Sequence, residues 1–173
     1  MRLTNQGEYL KFDIVKIANA IIYLLDKKVA HLNDKKLSIM LFLMDYNHQE
    51  NCGEKIFNEE YVKTNRNPKP RILGEVFDII ANNEDLDEDD ERLFVIQELL
   101  DYIDIEIIDK EKFVELQFIK MEEGFDEELF NVDEFKTMNK IIKLYGDMTP
   151  RNIANECFKI DTVRETANDE VII

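Results

Sequence analysis

The sequence predicts a mainly α fold of the α+β type: a single helical domain around one buried central helix, with one small antiparallel β-hairpin. Three observations carry this expectation. Apolar residues recur at three- and four-residue spacing in successive stretches of the chain, the pattern of helices with one buried face. The run Leu37–Met44 is apolar on nearly every face and so belongs at the centre of a fold. Only the residues between about Ile103 and Met121 switch to a two-residue period.

The first helix is expected from about Phe12 to Lys28, with Ile14, Ile17, Ala18, Ile21 and Leu25 on one face and Asp13 near its start. His31 sits in a polar connection and reads as exposed. Asn33 or Asp34 caps the next helix, which runs to about His48. Gly53 ends that segment, Ile56-Phe57 leads into an extended Glu60–Lys63, and Asn65 to Pro70 reads as a rigid turn, because each proline biases its predecessor away from helix. Pro70 then fits the first turn of a third helix, striped by Leu73, Val76, Phe77 and Ile80.

The acid-rich stretch from Asn82 to Glu91 departs from a calcium-loop pattern and reads as a solvated loop leading into an acidic first helical turn. The following helix carries Leu93, Ile96, Leu100 and Ile103. Ile103–Ile107 and Val114–Phe118 each alternate, and the polar Asp109–Lys112 connects them, so this is the hairpin. Its apolar face has to pack on the helices, since an isolated hairpin is marginal in water. Asn131 with Glu134 three residues on forms a capping-box pattern before Phe135, Met138, Ile142 and Tyr145, and Gly146 closes that helix. Thr149-Pro150 opens another helix, with Ile153, Ala154 and Cys157 inward. The end, Glu170–Ile173, reads as extended. One domain spans 1–173, with 1–11 as an N-terminal lead and 159–173 as a C-terminal tail.

Net charge −16 comes from 38 acids against 22 Lys and Arg. Such a surface repels nucleic acid, so direct nucleic-acid binding is not expected. It suits a basic protein partner or imitation of nucleic acid, and equally plain solubility. No apolar run is long enough for a membrane span and none resembles a signal peptide, which makes cytoplasmic location the expectation. Cys52 and Cys157 then read as reduced thiols, Cys157 as a small core residue.

Catalytic patterns are missing. The five glycines form no phosphate loop, and no histidine pair or CxxC offers metal-ligand spacing. His48 and Cys52 lie four apart, but the Asn51-Cys52-Gly53 context reads as past the helix end, and no third group orients them. No catalytic residue, cofactor or metal is therefore expected, and the protein is not expected to be an enzyme.

Several ordered segments carry a resemblance. They are Ile17–Leu25, Lys36–Asp45, Gly53–Tyr61, the Asn67-Pro68-Lys69-Pro70 turn, Phe130–Glu134 and Lys143–Thr149. In this order they resemble the Panacea domain family, which includes SocA-like antitoxins and phage-associated proteins. The likeness extends over roughly residues 12 to 173. The chain has Asn67 where the family usually has glycine, and Cys157–Val163 lacks the family's terminal His and Trp.

The resemblance implies a helical domain that binds and neutralises a toxin, either directly in stoichiometric fashion or as an adaptor delivering it to a protease. The partner is then a protein, a toxin with a basic surface, and a protease in the adaptor case. Two other readings stand beside it: an acidic nucleic-acid mimic or phage-derived inhibitor of a host protein, and an enzyme with an unrecognised site. The expected partner surface is the end of the central helix and the proline turn: Asp45, His48, Asn67, Pro68 and Lys69. The plain alternative is that Pro68 and Pro70 only fix the chain's entry into the third helix.

Overall fold

The computed structural model describes residues 12–122 and 124–173; the expected lead, 1–11, lies outside the described residues. Helix α1 (Ile14–Asp26) starts at Asp13, whose carboxylate accepts from the Lys16 amide. Helix α2 (Asp34–Cys52) starts at Asn33, whose side-chain oxygen accepts from the Lys36 amide, and stops at Gly53 with φ +83°, where a side chain would be strained. Residues Leu37 and Ile39–Met44 are at most 1% exposed, so α2 is the buried central helix. It packs against the later helices α5 (Val132–Tyr145) and α6 (Pro150–Phe158), while α1 packs on α4 (Glu91–Tyr102).

The capping patterns fold as their chemistry dictates. Asn131 and Glu134 exchange hydrogen bonds with each other's backbone amides at the start of α5. Thr149 accepts from the Asn152 amide ahead of Pro150 in α6. Gly146 departs from expectation: its φ is −57°, so it is no left-handed cap. A Cβ there would lie 2.5 Å from the Ile142 carbonyl oxygen, so close approach is what demands glycine.

The two-residue period holds. Strands β3 (Ile103–Asp109) and β4 (Val114–Lys120) pair antiparallel, with Ile105 opposite Phe118 and Ile107 opposite Leu116. Leu116 and Phe118 are buried, while Ile107, Phe113 and Val114 lie exposed toward the tip. In α4 the buried residues are Val95, Ile96 and Leu99, and Leu100 is exposed. The helix runs into β3 without a connection, so its inward face is the one that reaches Ile103 through Leu99, one helical turn earlier.

A second strand pair, absent from the sequence expectation, lies between α2 and α3 (Arg71–Ala81). Strands β1 (Tyr61–Thr64) and β2 (Asn67–Pro70) pair antiparallel, with Tyr61 opposite Pro70 and Lys63 opposite Pro68. The turn is therefore only Asn65-Arg66, and the prolines belong to a strand. This follows from the same physics read differently: residues before proline are extended, and two such residues in alternation make a strand as readily as a turn. Neither proline is asked for an N–H here. The amides of Tyr61 and Lys63 point away from β2, to the carbonyls of Ile173 and Glu170 at 3.0 and 2.9 Å. The returning amides of Ile172 and Asp169 reach Tyr61 and Lys63, each at 2.7 Å. The C-terminal residues thus lie along the other edge of β1, following α7 (Asp161–Glu165).

The interior holds charged groups, each with partners. The Lys36 ammonium donates to the carbonyls of Ala30, Gly146 and Met148 at 2.5–2.8 Å, tying α2 to the α5–α6 connection; burial pushes it below the ordinary lysine value. Among the described residues no buried side-chain nitrogen or oxygen lacks a hydrogen bond. No helix among them is long and apolar enough to cross a membrane.

Candidate partner-binding site

The expected partner residues separate into two groups. Asp45 and His48 are 0% and 1% exposed, inside the core rather than on a surface. Asp45 accepts from the amides of Ile56 and Phe57 at 2.7 and 3.0 Å and from the Tyr61 hydroxyl at 2.6 Å. Its carboxylate folds the loop after α2 back onto the helix and fixes the start of β1. Burial pushes its carboxyl above the ordinary carboxylate range, against the pull of these donors.

His48 Nδ1 lies 2.9 Å from the Thr137 hydroxyl, which itself donates to the Asp133 carbonyl. A hydroxyl has one proton to give, so Nδ1 carries the proton in the His48–Thr137 bond. Helix α2 does continue to Cys52, contrary to the sequence expectation, so His48 and Cys52 sit one turn apart on it. Cys52 is exposed and His48 is buried and bound to Thr137, so they do not form a nucleophile pair. Cys157 is in the core, and burial pushes its thiol up to about 12.

The remaining three residues, Asn67, Pro68 and Lys69, form β2. Pro68 is buried while Asn67 and Lys69 are half-buried. The Lys69 chain lies across Gly74 of α3, where an added Cβ would come within 2.7 Å of Lys69 Cε, and its ammonium reaches Asp78 at 2.7 Å. Lys63 extends the opposite way, donating to the Arg164 and Thr166 carbonyls at 3.2 and 2.6 Å. Beneath the hairpin, Glu59 accepts from the amides of Glu60, Ile72 and Leu73. It serves as the cap that Pro70 cannot supply to α3, and burial raises its carboxyl to about 7. The hairpin is thereby held on both flanks and from below.

Two cavities adjoin it. One of about 180 Å³ is bordered by Asp34, Ser38, Thr64, Asn67, Pro68 and Lys69 among others. The other, about 280 Å³, is lined by Lys35, Asn65, Arg66, Asn67, Arg151, Ala154 and Asn155. A larger cleft of about 660 Å³ on another part of the molecule has mixed charge, and its Lys16 and Arg71 are engaged by Glu134 and Glu60 at 2.8 and 3.3 Å. Among the described residues no group of three or more His, Cys, Asp or Glu side chains is placed to hold a metal.

The segment from Leu37 within α2 through both hairpins and α3–α6, residues 37–159, matches the family model of the antitoxin SocA-like, Panacea domain. The chain belongs to this family. No curated protein and no solved structure matches it. The Panacea match takes in the central helix and the β1–β2 hairpin, and begins after α1. The buried Asp45 could have been found in the sequence, because it follows without a break on a helix apolar all round.

Proposed function

We propose that this Panacea domain is an antitoxin-like protein of the cytoplasm, which neutralises a cognate toxin by stoichiometric binding without turnover. The observation that carries this reading is the family match over residues 37–159. Two features support it. The exterior is strongly acidic, suited to drawing in a basic partner. The β1–β2 hairpin is held by buried Asp45 and Glu59, so its outer side chains meet a partner with little ordering cost. Asn67 and Lys69 are the members of the expected site that remain reachable there; Asp45 and His48 act by shaping the support.

The test is co-expression with the product of the neighbouring gene, followed by titration of the purified pair. Rescue of growth at a one-to-one ratio, and an association rate that falls as salt rises, is the expected result, because opposite charges are screened over roughly 10 Å at 0.1 M salt. A Lys69→Glu variant should change the affinity of the complex, and an unchanged affinity would remove the hairpin as the contact surface. Full suppression of the toxin at sub-stoichiometric amounts would overturn blocking by occupancy and point to protease delivery.

A further inference from the structure

In a protein with 38 acids, the 280 Å³ cavity beside the hairpin has three cations and no carboxylate in its lining. Lys35 comes from the first turn of α2, Arg66 from the hairpin turn and Arg151 from the first turn of α6. Among the described residues none of the three makes an ion pair. The nearest carboxylate in sequence, Asp34, turns toward β4, where it accepts from the Leu116 amide at 3.1 Å. Three amide side chains, of Asn65, Asn67 and Asn155, complete the polar lining.

The turn itself is built for its arginine. Asn65 and Arg66 have φ of +49° and +74°, the left-handed pair of a two-residue hairpin loop. Glycine is the favoured second residue of such a turn, yet this chain places there a side chain with a Cβ. Lys35, Arg66 and Arg151 are all exposed, so the cavity is open to solvent; the Arg66 guanidinium lies 4.2 Å from the centre of the Phe158 ring, a contact that restrains it beside the cavity.

We propose that this cavity binds the phosphate group of a small phosphorylated molecule. Three unpaired monocations match a dianion better than the single charge of a carboxylate, and two guanidinium forks suit tetrahedral oxyanions. A net charge of −16 repels a polyanion along its whole length. A small ligand seated in the cavity is governed by the charges within about 8–10 Å, which is the screening length. The site goes beyond toxin neutralisation and is measured without a toxin.

The experiment is calorimetric titration of the full chain at constant ionic strength, with inorganic phosphate in one arm and a nucleoside monophosphate in the other. Saturable binding is expected, to inorganic phosphate if the free ion is the ligand, and more tightly to the monophosphate if the rest of the cavity takes an organic group. Arg151→Gln and Arg66→Gly should each weaken it at least tenfold, while Lys112→Gln at the far hairpin tip leaves it unchanged. The thermal midpoint of Arg66→Gly should be no lower than that of the parent, which separates lost binding from lost folding. Absence of saturable binding in both arms, equal binding by Arg151→Gln, or equally tight binding of acetate would overturn the proposal.

Discussion

Replacing Glu59 with Gln should remove a pH dependence from folding stability. The Glu59 carboxyl is 2% exposed and faces the open amides at the start of α3, and burial raises it from 4.5 to about 7. Below pH 4.5 the group is protonated in both folded and unfolded chains and contributes no slope. Between 4.5 and about 7 the unfolded chain releases the proton while the folded chain keeps it. The folded state then binds more protons, so stability falls as pH rises. A shift of this size corresponds to about 3 kcal/mol, present below the unfolded value and lost by the time pH passes the folded one. Gln keeps the shape and an accepting oxygen but cannot titrate. Urea unfolding of parent and variant from pH 5 to 8 provides the assay, and the difference between them cancels the other acids, including Asp45. That difference should move by about 2–3 kcal/mol against the parent as pH rises across this range. A difference constant within about 0.5 kcal/mol would show that the three amides hold Glu59 ionised, and would refute the reasoning.

Two further substitutions probe the buried polar groups. Lys36→Met retains the aliphatic stem but leaves the carbonyls of Ala30 and Met148 without their ammonium donor, and a loss of about 3 kcal/mol is expected by denaturant titration. A loss under about 1 kcal/mol would mean that water or a shifted loop replaces it. Tyr61→Phe removes the 2.6 Å hydroxyl donor to Asp45 and should cost about 2 kcal/mol. The cost should shrink in an Asp45→Asn background, and an unchanged value there would show the two groups uncoupled.

Most of the helices were legible because they carry an apolar stripe, or in α2 an apolar run on nearly every face, and several have a cap written in adjacent residues, as with Asn131 and Glu134. The β3–β4 hairpin was legible because period two leaves no alternative over seven residues. The β1–β2 hairpin was not, since strands of four residues give too short a pattern and Pro68 and Pro70 signal a turn as strongly as an edge. Asp45 and His48 were misplaced because polar residues default to the surface. Their burial depends on partners such as Tyr61, 16 residues on, and Thr137, 89 residues on. The cation-lined cavity draws Lys35, Arg66 and Arg151 from distant segments, a meeting that no local pattern announces.

The alternation of prolines in β2 decides how other chains can approach. Residues facing β1 in hydrogen-bonding register are Asn67 and Lys69, so the backbone groups on the opposite side belong to Pro68 and Pro70. That side offers carbonyls but no N–H, while the far side of β1 is occupied by residues 169–173. An incoming strand would find half of its hydrogen-bonding ladder missing beside β2 and the edge of β1 already paired. Strands β1 and β2 are therefore poor templates for backbone pairing with another chain. Whatever docks at this hairpin has to be chosen by side chains, which makes recognition there a matter of sequence rather than of exposed main chain.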